Sequence, residues 1–295
     1  MMDYEKFCLI LNKHIYEDDK KHLLRIITYR DPYFGTFTLL KSRDFLQECL
    51  QYLLQCHEIR FGDAIEEVVE AILGDLGYEV LAKSITGRSG EPMSLDQHFT
   101  DGAKYYLIEQ KVRDDHDSTK KRGQVSNFEA KLEFLQEEYG SKLIGIMYFV
   151  DPDFRKNKNY YLKELHKFEQ FYGVGLHLFY GKELFEHLGH PQIWDNIILW
   201  LERWKDGLAE LPEINFDAEP ERSFEDIKGL ELRHWRKILQ DERLWDEGIM
   251  RAIFRNGYTL RLLLDYFRKQ PGVPYKNLAG LFHQRLQRYY GEEVQ

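Results

Sequence analysis

Apolar residues recur at helical spacing near both ends of this chain and in strand-like runs through its middle. Tyr4–Tyr16 and Arg43–Cys56 read as helices, the second through Phe45, Leu46, Cys49, Leu50 and Leu53, and the Pro- and Gly-bearing RDPYFGTF between them reads as a loop. Phe61–Leu76 carries one stripe of Phe61, Ile65, Val68, Ile72 and Leu76, and Gly77 stops it before a strand over Tyr78–Ile85. The polar TGRSGEP then leads into Ser94–Thr100 and Lys104–Val112, two strands joined by the hairpin dipeptide Asp101-Gly102. VRDDHDSTKKRGQ follows as a charged loop. Ser126, with Glu129 three residues later, predicts a capped helix to Tyr139, stopped by Gly140. Leu143–Val150 is almost continuously apolar, the pattern of a strand buried on both faces and parallel to its neighbour. A helix over Lys163–Tyr172, a strand over Gly175–Tyr180, and helices over Gly181–Leu188 and Ile193–Trp204 complete an α/β unit.

Beyond that unit, Leu208–Glu221 holds Pro212, Pro220 and several acids with weak periodicity, and helical spacing then runs to the end, with Trp235 and Trp245 as candidate core. The predicted organisation is a helical N-terminal region over 1–57, an α/β core over 58–207, a linker over 208–222 and a helical, basic C-terminal region over 223–295. Thr259–Lys269 and Tyr275–Tyr289, joined by QPGVP, have the outline of a helix-turn-helix pair.

The chain has 295 residues, 43% of them apolar and 31% charged, the composition of a globular protein with a substantial core. No run of about eighteen apolar residues and no secretory leader is found, which predicts a cytoplasmic protein. Cys8, Cys49 and Cys56 lack CxxC spacing and read as buried thiols, not as a zinc or disulfide framework. The formal charge of −9 excludes polyanion binding over the whole surface, but the distribution is uneven. Between Arg251 and Tyr290 stand eight basic residues, Arg261, Arg268 and Lys276 among them, against one acid, Asp265. Tyrosines interleave with them, which favours nucleic acid as partner.

The hairpin carries the candidate chemistry. With Asp101 and Gly102 at its turn, Leu107 stands opposite Asp96, and the alternation of side chains puts Asp96, Leu107, Glu109 and Lys111 on one side; a four-residue loop over Thr100–Ala103 keeps that parity. Two carboxylates on neighbouring strands suit Mg²⁺, which takes one or two protein carboxylates and keeps water and phosphate as its other ligands. A lysine two residues beyond the second acid reaches the same water or phosphate, so the group is sufficient for metal-assisted phosphodiester hydrolysis. Glu66 lies beside the Phe61–Leu76 stripe, positioned to point toward the hairpin. Lys120, Lys121 and Arg122, with Gln124 after them, read as a phosphate-contacting loop.

In order, Gly62 and Glu66 on a helix, a strand, Asp96, then Glu109-Gln110-Lys111, a helix and a buried strand resemble the PD-(D/E)xK nuclease superfamily. The additions at both termini resemble those of its type II restriction endonucleases. The resemblance covers residues 58–180 and implies a restriction-endonuclease-like mixed β-sheet core flanked by helices, with helical N- and C-terminal additions. It implies that Asp96, Glu109 and the Gln110 carbonyl hold Mg²⁺, that Lys111 orients or deprotonates the attacking water, and that Glu66 contacts water on the metal. Gln124, opening the next helix, matches a position where relatives often use Gln or Lys. Asp96 follows Leu95 where the family has proline, and Asp101 competes as the first acid but sits at the turn. The implied activity is site-specific cleavage of double-stranded DNA by a homodimer, with a DNA methyltransferase as genetic partner. A repair, junction-resolving or transposon-end nuclease of the same fold and a non-catalytic DNA-binding protein are the alternatives.

Overall fold

A computed structural model describes residues 2–17, 19–29, 45–86, 92–114, 117–208, 214–246 and 248–291. In chain order it begins with helices α1 (Tyr4–Tyr16), α2 (Asp19–Tyr29) and α3 (Phe45–Asp75). Strands β1 (Glu79–Val80), β2 (Ser84–Thr86), β3 (Pro92–Ser94), β4 (Gln97–Thr100) and β5 (Tyr105–Lys111) follow, then α4 (Ser118–Tyr139), β6 (Leu143–Phe149), α5 (Lys158–Tyr172), β7 (Gly175–Tyr180), α6 (Lys182–His187) and α7 (Gln192–Asp206). Six more helices complete it: α8 (Pro220–Ile227), α9 (Leu232–Gln240), α10 (Glu242–Asp246), α11 (Ile249–Ile253), α12 (Tyr258–Lys269) and α13 (Val273–Tyr290). The chain forms two compact units, one of residues 1–14 and 60–208, the other of residues 15–59 and 209–295.

The first unit is mixed α/β. Its five-stranded sheet has the order β1-β4-β5-β6-β7, antiparallel from β1 to β5 and parallel from β5 to β7. β2 and β3 form a separate antiparallel pair. β5 and β6 are buried on both faces, as the apolar run of β6 predicts. On one face, Leu107, Leu143 and Met147 pack with Val125, Phe128, Leu132 and Leu135 of α4 and with Tyr161 and Leu165 of α5. Gly145 lets α4 approach closely: a Cβ there would lie 2.7 Å from Leu176 Cδ2 and 3.0 Å from Leu132 Cδ1.

Five features differ from the sequence expectation. The helices expected over Arg43–Cys56 and Phe61–Leu76 are one continuous α3 from Phe45, because His57 to Arg60 contain no breaker and Gly62 is tolerated inside a helix. The strand expected over Tyr78–Ile85 is two pieces in two sheets, β1 and β2. Likewise Ser94–Thr100 divides into β3 and β4 around Leu95 and Asp96, with the Leu95 N–H donating to the Lys83 carbonyl at 2.7 Å. The hairpin register pairs Thr100 with Tyr105 and His98 with Leu107, so the loop is Asp101 to Lys104 and Leu107 does not stand opposite Asp96. Asp101 sets that loop: its Oδ1 accepts the N–H groups of Ala103 at 2.8 Å and Lys104 at 2.7 Å. The shift is by two positions, so the parity of the faces is kept. Finally, α4 begins at Ser118, eight residues before the expected Ser126. Asp117 caps it by accepting the N–H groups of Thr119 and Lys120.

The second unit is helical in its described residues. Leu23, Leu24, Ile27, Trp235, Trp245, Leu260 and Phe282 are among the residues of its core. Trp235 and Trp245 are fully buried, as their place in the helical pattern predicts. Of the 208–222 stretch, residues 209–213 lie outside the described residues, Ile214 and Phe216 are buried in this core, and Pro220 opens α8. Asp217 is buried as well and accepts the N–H groups of Asn256 at 2.7 Å and Thr259 at 2.8 Å, which holds the start of α12. The RDPYFGTF loop and the Cys49 side chain lie outside the described residues; Cys8 and Cys56 are half-buried thiols.

Candidate active site

The break between β3 and β4 places Asp96 at the rim of the main sheet, one residue before the first paired position of β4. Its Oδ2 accepts the backbone N–H of Gln110 at 2.8 Å, a ladder donor just past the last β4–β5 pair. The Asp96 carboxylate is thereby anchored to the strand that carries Glu109 and Lys111. On that strand Glu109 and Lys111 share a face with Leu107, and all three lie toward α4.

Three oxygens converge on the Lys111 ammonium. Its Nζ lies 2.9 Å from Asp96 Oδ2, 2.8 Å from Glu109 Oε1 and 2.8 Å from the Gln110 carbonyl oxygen. Burial alone would lower the Lys111 pKa, but Glu109 and Asp96 outweigh it and hold the ammonium above its usual range. Glu109 is 2% exposed and both its oxygens are engaged, because Lys131 Nζ of α4 lies 2.5 Å from Oε2. The same Nζ is 3.6 Å from Asp96 Oδ1. These groups line a cleft of about 540 Å³, bounded also by Pro92, Met93 and Ser94 and by Gly123, Gln124 and Asn127 of α4.

Lys131 is absent from the sequence expectation, although the signal was available. Phe128, Lys131, Leu132 and Leu135 stand at the i, i+3, i+4, i+7 spacing of a core stripe, so a lysine occupies a core position just after the Glu-x-Lys motif. A buried ammonium needs a carboxylate partner, and the nearest strand of that sheet face offers Glu109. Asn127 was also missed; with Gln124 and Lys131 it forms the polar edge of α4 along the cleft.

The other predicted residues fall into three groups. Glu66 pairs with Lys83 at 2.6 Å, and its backbone carbonyl accepts the Gln97 side-chain amide at 2.7 Å. Burial raises its carboxyl pKa, Lys83 pulls it down, and Asp96 adds to the rise. Glu66 is thus held beside the strand that follows Asp96, with Lys83 as its ion-pair partner. Lys120, Lys121 and Arg122 are on the first turns of α4 and not in a loop, a correction that follows from the earlier helix start. Lys120 and Arg122 are exposed, while Lys121 turns to α5, donating to Asn157 Oδ1 at 3.1 Å. Gln124 does not open the helix; it lies on its second turn, where it lines the cleft and its Oε1 accepts the Tyr161 hydroxyl at 2.8 Å. Arg261, Arg268 and Lys276 belong to the second unit. Arg261 donates to the Asn256 carbonyl at 2.8 Å, Arg268 stands 3.8 Å from Asp265, and Lys276 is exposed.

Asp101, the competing acid, serves the hairpin turn and accepts the Tyr106 hydroxyl at 3.0 Å. The N–H of Lys104 foremost holds its carboxyl below the usual range, outweighing partial burial.

The donor set fits a hard divalent cation. Lys111 Nζ is itself a cation held by two carboxylate oxygens and one peptide oxygen, the ligand types Mg²⁺ prefers. Among the described residues no group of three or more His, Cys, Asp or Glu side chains is placed to share a metal.

The mixed sheet thus carries two acids and a lysine at the rim of its central strands. Residues 79–205, from β1 to the last turn of α7, match the family described as type II restriction endonuclease, HinfI. No curated protein and no solved structure matches the chain.

Proposed function

We propose that the chain is a Mg²⁺-dependent, site-specific endonuclease that hydrolyses phosphodiester bonds of double-stranded DNA, with the reaction centred on Asp96, Glu109 and Lys111. The observation that carries this reading is the convergence of Asp96 Oδ2, Glu109 Oε1 and the Gln110 carbonyl on one cationic nitrogen at 2.8–2.9 Å, inside an open cleft. Those three oxygens are the ones that would hold Mg²⁺. When bound, the ion supplies Lewis-acid stabilisation of charge on the phosphate and makes water more acidic.

The chain's own residues do the rest. Asp96 is oriented by the Gln110 N–H, so its carboxylate keeps its direction without substrate. Lys111 is the more exposed of the two site lysines, its side chain 31% exposed against 4% for Lys131, and its ammonium is the mobile charge of the cleft. Facing the cleft, that ammonium would neutralise negative charge developing on the scissile phosphate and orient the attacking water. Gln124 and Asn127 offer amide groups to the substrate along the α4 edge. Lys120 and Arg122 on the exposed first turns of α4, and Arg261, Arg268 and Lys276 in the second unit, supply backbone contacts. Glu66 acts beside the site through water, with Lys83 setting its charge. A two-fold recognition sequence would be matched by a homodimer, and a methyltransferase would protect host DNA.

The test is incubation of plasmid and genomic DNA with the chain and Mg²⁺, followed by sequencing of the ends. Discrete fragments with a shared end sequence are expected; nicks without sequence preference or branch-specific cuts would favour the repair or junction-resolving alternative. Asp96→Ala and Lys111→Ala should each slow cleavage at least about a hundredfold, as when several kcal/mol of transition-state stabilisation are lost. Near-normal cleavage by Asp96→Ala would remove the site assignment.

A further inference from the structure

The two carboxylates present four oxygens, and two lysines divide them. Lys111 takes Asp96 Oδ2 and Glu109 Oε1, and Lys131 takes the opposite pair, at 3.6 Å from Asp96 Oδ1 and 2.5 Å from Glu109 Oε2. We infer that Lys131 is a resident cation whose ammonium fills the place a second divalent ion would need, so that the site binds one divalent cation per chain. The inference rests on the metal-dependent reading above.

Three observations carry it. Ions of two-metal sites lie about 3.5–4 Å apart, so a second ion would need carboxylate oxygens close to the first, and the other edge of the Asp96 and Glu109 pair is the nearest such place. That edge is where Lys131 Nζ stands. The two lysines also differ in freedom. Lys111 faces the cleft and adds a peptide oxygen to its set, whereas Lys131 is 3% exposed, on a helix whose neighbouring Phe128, Leu132 and Leu135 are fully buried. An incoming ion can displace the first into the cleft, whereas the second has almost no exposed side chain and is held between the Glu109 and Asp96 carboxylates, so parting it from them would leave a buried ammonium without its partners. Charge points the same way. Asp96, Glu109, Lys111 and Lys131 together are neutral; with Lys111 displaced into the cleft, one divalent ion leaves the remaining group at +1, and a second beside Lys131 would bring it to +3 around the buried Glu109.

Lys131 is on this account a positioning residue, holding the Glu109 carboxylate with Oε1 toward the single ion. The test is Mn²⁺ titration of the full chain read by electron paramagnetic resonance, counting the ions that are lost in Asp96→Ala. One ion is expected for the wild type, without the spin coupling of a manganese pair. Lys131→Gln, which keeps a hydrogen-bond donor to Glu109 but removes the charge, is expected to take up a second, spin-coupled ion. A merely structural lysine would leave that variant at one ion, and this result would overturn the inference. Two ions in the wild type would overturn it alone, leaving Mg²⁺-dependent cleavage standing; no ion at all would overturn it together with the cation-site reading. If Lys131→Gln fails to fold, as its melting curve would show, the wild-type count decides: one ion supports the inference and two overturn it.

Discussion

At the scale of single residues, burial and neighbouring charges oppose each other at Lys111 and beside the site at Glu66. Glu66 shows how the balance works. Its carboxyl is raised from the ordinary value of 4.5 by burial, is lowered by Lys83, and is raised again by Asp96. A carboxyl with a raised folded pKa holds its proton more tightly in the folded chain. Its contribution to stability is therefore complete below about 4.5 and is lost as pH rises through the folded value. Lys83→Met removes the pull downward and widens that window. The variant should lose more stability relative to the wild type at pH 7 than at pH 4 in thermal melts; equal losses at both pH values would show that Lys83 does not hold the Glu66 charge. Asp96 and Glu109 were legible in the sequence because strand alternation alone puts them on one face. Lys131 was overlooked because a lysine inside an amphipathic helix is ordinarily solvated, and a partner for it exists only once α4 lies against β5.

At the scale of elements, the site depends on how closely α4 lies against the sheet. Gly145 of β6 sets that approach, since any Cβ there meets Leu176, Leu132 and, at 3.1 Å, Phe128 Cζ. Gly145→Val should destabilise the unit by about 1–3 kcal/mol, the usual cost of overpacking a filled core. Because Lys131 rides on the same helix, the variant should also weaken binding of Mn²⁺ at the site. Denaturant unfolding and the same titration read the two effects; unchanged stability would show that the helix adapts without cost. The start of α4 was misread at this scale. Two N-terminal signals compete, Asp117 and the Ser126/Glu129 pair, and local sequence does not rank them. The helix keeps the earlier one because Gly123 and the polar residues between them can continue a helix that packs through Val125 and Phe128. As a result, Lys120 and Arg122 are displayed on a helix, with Lys121 between them turned to Asn157.

For the whole molecule, the proposed DNA substrate would have to be met by an acidic chain of net charge −9 through local basic surfaces. Two candidate surfaces exist, Lys120 to Arg122 in the first unit and Arg261, Arg268 and Lys276 in the second. Replacing either trio by alanine should lower the slope of log affinity against log salt by about 0.9 for each phosphate contact removed, measured in Ca²⁺ to prevent cleavage. A slope unchanged by one trio would exclude that surface. The family match ends at residue 205, so it speaks for the first unit and not for the basic helices of the second. Among the described residues no helix is long and apolar enough to cross a membrane.

The chain's own order of residues determined the α/β class, the parallel β5–β6 neighbours and the hairpin parity, since each follows from a short-range period or a turn dipeptide. It also determined which two acids and which lysine share a face, because a register shift of two preserves that face. Tertiary structure alone decided the rest. The break at Leu95 and Asp96 depends on the bond from the Leu95 N–H to the carbonyl of Lys83, just before β2. The second lysine depends on a helix that begins after the motif and returns along it. The hairpin's Asp96, Glu109 and Lys111 are thus written locally, whereas the Lys131 ammonium that completes the four-membered charge group is supplied by packing over a separation of 22 residues.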